Sequence, residues 1–160
     1  MIRWPFQFLL LLALSLWVGS IAFFSAVVTR GIFAALDPPA AGKLLSQLFP
    51  MYYRAGALCG GVALAVLLLL FLFDSGSRAL RFLQLALVSI MLGGTLYAGW
   101  LLQPRIHQLR QEKTSAPSKL LRDEAERRFQ KLHTRSVQVN VGVLVLGVAG
   151  LGTLAVRKKT

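Results

Sequence analysis

Hydrophobic residues fall into four long blocks, separated by segments that hold nearly all of the charged residues. The blocks cover about residues 6–28, 55–73, 80–102 and 137–156. A helix rises about 1.5 Å per residue, so about 20 apolar residues cross a hydrocarbon core about 30 Å thick. Since lipid offers the backbone no hydrogen-bonding partner, each block is predicted to be a transmembrane α-helix.

A secretory signal peptide is the alternative for the first block. Its apolar region would cover only about 7–15 residues and would end at a cleavage site of small residues. The first block runs over residues 6–28 without such a site, so we expect it to be a retained span. The whole chain, residues 1–160, is then a single integral membrane domain.

Small residues recur within the blocks at a spacing of four. Transmembrane helices associate where small residues let their backbones approach each other. This pattern predicts an all-α fold, a compact four-helix transmembrane bundle. Its helix contacts are expected at Gly19, Gly56, Gly60 and Gly94.

The first connection, residues 29–54, predicts a separate helix lying in the membrane interface. Asp37 followed by Pro38 and Pro39 is typical of a helix start, with a capping carboxylate and proline in the first turn. The apolar residues that follow fall on one side of a helix, as in helices that lie on a membrane surface. Pro50 is predicted to end this helix and to turn the chain into the second span.

The third connection, residues 103–136, predicts helical extensions outside the membrane. A break is expected at 114–117, and residues 118–135 have the composition of a solvated helix. The second connection is a short turn that begins at 74–77, and the basic residues 157–159 end the last span.

With four spans, the first and third connections lie on one side of the membrane, which we call the long-connection side. Polar, charged and proline residues that a lipid-facing span does not require are concentrated on this side. We therefore predict that the functional surface of the protein, its working face, lies there. The candidate functional residues are Arg30, Pro50, Tyr52, Pro104, Arg105, His133, Ser136 and Asn140.

A polar stripe enters the fourth span. At about 100° per residue, His133, Ser136 and Asn140 lie within about 60° of one another on a helix. Buried polar groups in lipid need partners, so the stripe should face the bundle, with Arg105, Tyr52 or Arg30 as the partner of His133. The stripe can serve as interhelical hydrogen bonding, or it can form a ligand or cofactor site that includes His133.

The net charge is +12, from 18 Lys and Arg against 6 Asp and Glu. The basic residues lie between the blocks and form no stripe interleaved with aromatics, so the bilayer is the expected partner and nucleic acid is not. A homo-oligomer or another membrane protein is the other expected partner. Twelve basic residues fall on the long-connection side and six on the other. The positive-inside rule then places the long connections in the cytoplasm.

Metal and cofactor chemistry has little support in the residue types. Cys59 is the single cysteine, so no disulfide forms within the chain. His107 and His133 are weak candidates for metal ligation, and as a pair they could hold haem iron or copper. No cofactor is therefore expected, with haem or copper as the alternative.

Several short motifs, in this order, resemble those of a four-span family of unknown function that includes the eukaryotic transmembrane protein 205. The resemblance covers most of the chain and implies a membrane-embedded bundle without an established activity. More distantly, the layout is similar to small helical membrane proteins linked to copper uptake and to haem-dependent protoporphyrinogen oxidation. The motifs are Gly19-Ser20 with Phe23, Leu48-Phe49-Pro50-x-Tyr52, Pro104-Arg105, and Leu132-His133-x-x-Ser136-x-x-x-Asn140.

Three classes of function follow from these observations. The first is a structural or interaction protein of the membrane, expected in the bacterial inner membrane, with its interface on the long-connection side. The second is a transporter, or an accessory subunit, for a small solute or metal. The third is a haem-binding redox protein. The sequence shows no nucleophile–base pair and no metal-ligand cluster, so an enzyme is not expected.

Overall fold

The computed structural model describes residues 3–73 and 77–156, and all of its regular elements are helical. The predicted turn residues 74–76 and the basic residues 157–159 lie outside the described residues. The elements are α1 Arg3–Phe23, a first π-helical segment Phe24–Val28, α2 Thr29–Ala35, α3 Pro38–Phe73, α4 Arg78–Leu96, a second π-helical segment Tyr97–Leu102, α5 Gln103–Ser115 and α6 Lys119–Val156.

The π-helical segments continue the α-helices on either side of them, so the described chain forms four long rods. The four rods, Trp4–Ala35, Pro38–Leu72, Arg78–Ser115 and Lys119–Ala155, are each long enough to cross a membrane and contain a window of 18 residues apolar enough to do so. The predicted all-α four-helix transmembrane bundle is confirmed. The protein is therefore an integral membrane protein, in which lipid covers the outward faces of the helices.

The rods pack as a ring in chain order. Helix α1 packs on α3 and α6, and α4 also packs on α3 and α6, while α5 lies along the first part of α6. Trp17 lies at the centre of the core with 1% of its surface exposed. A large indole at this position fills the space that the small residues of the neighbouring helices leave open.

Three of the four glycines expected at helix contacts lie there. A Cβ atom on Gly60 would come within 2.6 Å of the Trp17 ring, and one on Gly56 within 3.0 Å of Trp17 Nε1. On the other side of the bundle, a Cβ atom on Gly94 would lie 3.1 Å from a methyl group of Val143. The prediction for Gly19 is wrong, because Gly19 is exposed and no atom lies within 4 Å of its Cβ position.

The separate interfacial helix predicted in the first connection is not present. Helix α3 begins at Pro38, as predicted, but it continues through Pro50 to Phe73. An internal proline removes one backbone donor and crowds the preceding turn, which ends many helices in water. In membrane helices such a proline is tolerated because neighbouring groups satisfy the freed carbonyl. The amphipathic residues after Pro38 are therefore the first part of the second rod.

The third connection forms the predicted helical extensions. Helix α5 ends at Ser115 and α6 begins at Lys119, with Ser118 Oγ accepting a hydrogen bond from the Leu121 N–H at 3.4 Å. Lys113 and Glu126 then join α5 to α6 through an ion pair of 2.6 Å. This contact with Lys113, together with a hydrogen bond from Gln130, holds the pKa of Glu126 below its usual value.

Polar residues of α4 are buried at the opposite end of the bundle. Arg81 is 2% exposed and Gln84 is similarly buried. The Gln84 side-chain amide donates to Thr153 Oγ1 of α6 at 3.2 Å. Arg81 is the second residue of the third apolar block.

Candidate functional site

A cleft of about 680 Å³ lies on the long-connection side of the protein. It lies between α2, α3, the second π-helical segment, α5 and the first half of α6. Its lining residues lie at the ends of the apolar blocks and in the long connections beside them, so the cleft lies near the level of the membrane interface. Its size is within the range of about 300–1,000 Å³ found for ligand pockets.

Four aromatic rings from the first and second rods pack together beside the cleft. The Phe24 and Tyr52 rings are stacked with centroids 4.7 Å apart, and Phe49 lies 5.4 Å from Phe24. Phe49 also stacks on Tyr53 at 6.2 Å. Aromatic pairs at these distances fix ring positions beyond what burial alone provides. The segment around Pro50 is therefore held rigidly against the end of α1.

The polar stripe of α6 is paired with this aromatic cluster. Asn140 Nδ2 donates to the Tyr53 hydroxyl at 3.1 Å, and the Tyr52 hydroxyl donates to Asn140 Oδ1 at 3.5 Å. The Tyr53 and Ser136 hydroxyls are also hydrogen-bonded, at 3.3 Å. Tyr53 is 2% exposed, and a buried hydroxyl without a partner would be unfavourable, so these bonds fix α3 against α6.

Tyr53 lies close against the second π-helical segment. A Cβ atom on Gly99 would come within 2.8 Å of Tyr53 Cβ. The backbone N–H of Gln103 bonds to the Ala98 carbonyl five residues earlier, which is the wide turn of a π-helix. Thr29 closes the first π-helical segment in the same way, with its backbone N–H and its hydroxyl both bonded to the Phe24 carbonyl. Such segments are frequent at functional sites. Gly99 and Trp100 of the second segment line this cleft, and so does Thr29, which follows the first segment.

Arg110 joins three of the elements that form the cleft. Its guanidinium donates to the backbone carbonyl of Gly42 in α3. The same group lies over the Phe129 ring of α6, 5.4 Å from the ring centroid, in a cation–π contact. His133 stacks on Phe129 as well, with parallel rings 5.7 Å apart. Partial burial and, secondarily, the charge of Arg110 lower the pKa of His133, which lies before the apolar part of α6.

Both histidines of the chain line the cleft. His107 Nε2 is 3.0 Å from the side-chain amide of Gln111, and His133 contacts Phe129. Across residues 3–73 and 77–156, no three His, Cys, Asp or Glu side chains come together as a metal site would require. The histidines therefore contribute polar groups to the cleft without a third protein ligand beside them.

A family profile described as "Domain of unknown function (DUF4149)" matches residues 12–115. The chain belongs to this family. The matched region covers the first three rods and ends where α5 ends, so it includes every side of the cleft except that of α6. An uncharacterized protein of Aquifex aeolicus (strain VF5) is 28% identical over 139 residues, which cover 86% of this chain and 88% of the relative. No solved structure matches the chain.

The structure brings together most of the predicted site residues. Pro50, Pro104 and His133 line the cleft, and Tyr52, Ser136 and Asn140 form the hydrogen-bonded network beside it. Arg30 and Arg105 lie outside the lining. None of the three partners expected for His133 hydrogen-bonds to it among the described residues, since its neighbours are Phe129 and Arg110.

Three residues that the sequence did not single out are central to the site. They are Tyr53, Gly99 and Arg110. The signal for Tyr53 is its position next to Tyr52, but two adjacent helical residues point about 100° apart, and only packing decides which of them is buried. Gly99 is close to the small-residue pattern at Gly94. Arg110 has no local signal, because its partners lie on two other rods.

Proposed function

We propose that this protein is a binding or interaction module of the membrane, whose working face is the cleft on the long-connection side. The observation that carries the proposal is the composition of the cleft. Aromatic and aliphatic walls surround a small set of polar and basic groups, which is typical of ligand-binding pockets. Among the residues that the structure describes, the lining holds no cysteine, aspartate or glutamate that could act as a nucleophile or general base beside its histidines.

The resemblance to the family of transmembrane protein 205 is part of this proposal. Of the residues that carry it, Pro50, Tyr52, Pro104, Ser136 and Asn140 lie in the cleft or in the network beside it. A shared site would account for motif residues from three separate rods meeting in one place. A role for this site in other members of the family is an extension of the same proposal.

Haem or copper binding is the second candidate, favoured by one observation. His107 and His133 come from different rods and line the same cleft. Imidazoles from two helices are a common way to hold haem iron. An absorption spectrum of the purified protein separates the candidates, because bound haem would give a strong band that His133→Asn removes. Transport of a small solute through the bundle is a third candidate, and an occupied cleft would be its entry site.

Occupancy of the cleft can be tested by photocrosslinking in membranes. We expect benzoylphenylalanine in place of Phe33, at the mouth of the cleft, to give one main adduct. Ser46→Trp, which fills the cleft from α3, should remove this adduct. Benzoylphenylalanine in place of Phe82, another exposed position, on α4 away from the cleft, is the control, and its adducts should not respond to Ser46→Trp. Identical adducts at the two positions, or no response to Ser46→Trp, would refute the proposal.

We further propose that the protein lies in the bacterial inner membrane with the long connections in the cytoplasm. Twelve of the 18 Lys and Arg residues lie on that side, as the positive-inside rule requires. A periplasmic reporter such as alkaline phosphatase is expected to be active when fused after Thr160. The same reporter inserted at Pro117 should be inactive. Fluorescence from a cytoplasm-dependent reporter fused after Thr160 would contradict this orientation.

A further inference from the structure

The charge of the cleft has one sign. Its lining includes Arg54, His107, Arg110 and His133 but no aspartate or glutamate. The positive charge comes from Arg54 and Arg110, and neither forms an ion pair with a carboxylate within the described part of the chain. A low-dielectric cleft concentrates the field of such a set, so it attracts an anionic group.

Hydrogen-bond donors accompany the basic residues. The Gln103 side-chain amide lines the cleft, and so do Gln130 and Thr29, which donate to Glu126 and to the Phe24 carbonyl. A phosphate or carboxylate can accept several bonds at once, so it suits a cleft that the Gln103 amide and the Arg54 guanidinium both line. Arg54 is exposed and makes no ion pair or side-chain hydrogen bond among residues 3–73 and 77–156, which leaves its guanidinium available.

The remaining walls of the cleft are apolar and open toward the surroundings of the bundle. Phe33 is 50% exposed and Trp100 is 54% exposed, and both line the cleft. Trp100 belongs to the third apolar block, and Phe33 follows the first block by five residues, so both lie at the edge of the hydrocarbon region. Aromatic residues at this depth are typical of the boundary between headgroups and acyl chains.

We propose that the cleft binds an anionic lipid of the surrounding membrane, with its acidic headgroup at Arg54 and the Gln103 amide and its acyl chain along Phe33 and Trp100. The inference rests on the proposed function, and it names the chemical class of the occupant. The positive charge of the cleft and its position at the edge of the hydrocarbon region together favour this class of ligand. A soluble anion has no apolar part that could contact the exposed apolar wall. A zwitterionic lipid would not match a site with one sign of charge.

The proposed orientation of the chain is consistent with this occupant. Anionic lipids give the cytoplasmic leaflet a negative surface potential, which attracts basic groups near the membrane surface. The cleft lies on the side that holds twelve of the basic residues. The other basic residues on that side would attract anionic lipids to the surface around the cleft. The cleft itself would select one of them through its shape.

The test compares lipids by native mass spectrometry of the full chain in detergent. We expect phosphatidylglycerol to bind with a stoichiometry of one and more tightly than phosphatidylcholine of the same acyl chains. Arg54→Gln should weaken phosphatidylglycerol binding about fivefold, since each basic residue near a membrane surface contributes about that factor. Arg54→Lys should bind nearly as well as the wild type. Arg122→Gln, which removes an exposed charge outside the cleft, is the matched control and should have no effect.

Two further measurements, competition with soluble anions and photolabelling in membranes, test the inference independently of the variants. Inorganic phosphate and glycerol phosphate should not displace the lipid, and displacement by either at millimolar concentration would show a site for the anion alone. A photoreactive phosphatidylglycerol in membranes of the wild-type protein should label peptides within 45–54 or 99–107, which does not depend on how any variant folds. Equal binding of the two lipids, or labelling spread evenly over the four rods, would overturn the inference. A protein adduct at Phe33 would also overturn it while leaving the proposed function intact, whereas an empty cleft would overturn both.

Discussion

Replacing Gly60 with leucine is expected to lower the thermal stability of the bundle markedly. A Cβ atom at this position would lie 2.6 Å from the Trp17 ring and 2.9 Å from a methyl group of Leu92. Trp17 is fully enclosed, so the ring has no space into which it can move. Inserting methylene groups into a packed core destabilises proteins by about 1–3 kcal/mol, and here α1 and α4 would both be pushed away from α3. Melting in detergent, followed by circular dichroism or by aggregation, measures the effect.

Gly61 supplies the matched control for this substitution. It is the next residue of the same helix, but it is exposed, and no atom lies within 4 Å of its Cβ position. Gly61→Leu should leave the melting temperature unchanged or raise it slightly, because leucine favours a helix more than glycine does. Equal melting temperatures for the two variants would show that α1 and α3 are not in close contact at Gly60.

Replacing Asn140 with leucine is expected to destabilise the bundle and to disturb the cleft. The Asn140 amide accepts a bond from Tyr52 and donates one to Tyr53, so leucine leaves Tyr52 without its partner and Tyr53 with Ser136 alone. Leaving buried polar groups unpaired costs about 1–3 kcal/mol, and interhelical bonds in membranes contribute at the lower end of that range. We expect a lower melting temperature and a weaker adduct from benzoylphenylalanine at position 33, because Tyr53 also lines the cleft.

Gln138→Leu is the control for this second variant. Gln138 is two residues away on the same helix and is exposed, so the substitution removes an amide that faces the surroundings of the bundle. It should leave both the melting temperature and the adduct unchanged. A melting temperature for Asn140→Leu as high as that of Gln138→Leu would show that the tyrosine hydroxyls find other partners.

The transmembrane architecture could be predicted from the sequence because lipid allows few alternatives. An apolar block must satisfy its own backbone, so its length alone identifies a spanning helix. Pro50 is a position where the sequence does not predict the end of a helix correctly. Proline is a reliable stop signal for a helix in water, but packed neighbours can support a helix through it, and the sequence does not reveal those neighbours. The predicted interfacial helix and the second span are consequently one helix, Pro38–Phe73.

The candidate site could be predicted only in part, for a reason of geometry. Ser136 and Asn140 lie on one uninterrupted α-helix, so their common face follows from its periodicity. Arg110 lies beyond the second π-helical segment, where the angle per residue is smaller and the face of α5 is rotated from the one that α-periodicity gives. The hydrogen-bond partners of Asn140 come from α3, and no local pattern shows that α3 and α6 meet there.

The two π-helical segments, Phe24–Val28 and Tyr97–Leu102, also have an evolutionary consequence. A π-turn holds one residue more than an α-turn, so removing a single residue from such a segment restores regular helix without changing the phase of the helix on either side. The first and third rods can therefore gain or lose one residue at these two places, whereas an insertion elsewhere would rotate one end of the rod out of the bundle. Relatives aligned with this chain should show single-residue gaps at 24–28 and 97–102. A relative with such a gap would carry the same four rods but a differently shaped cleft, because Gly99 and Trp100 would no longer be presented by a π-turn.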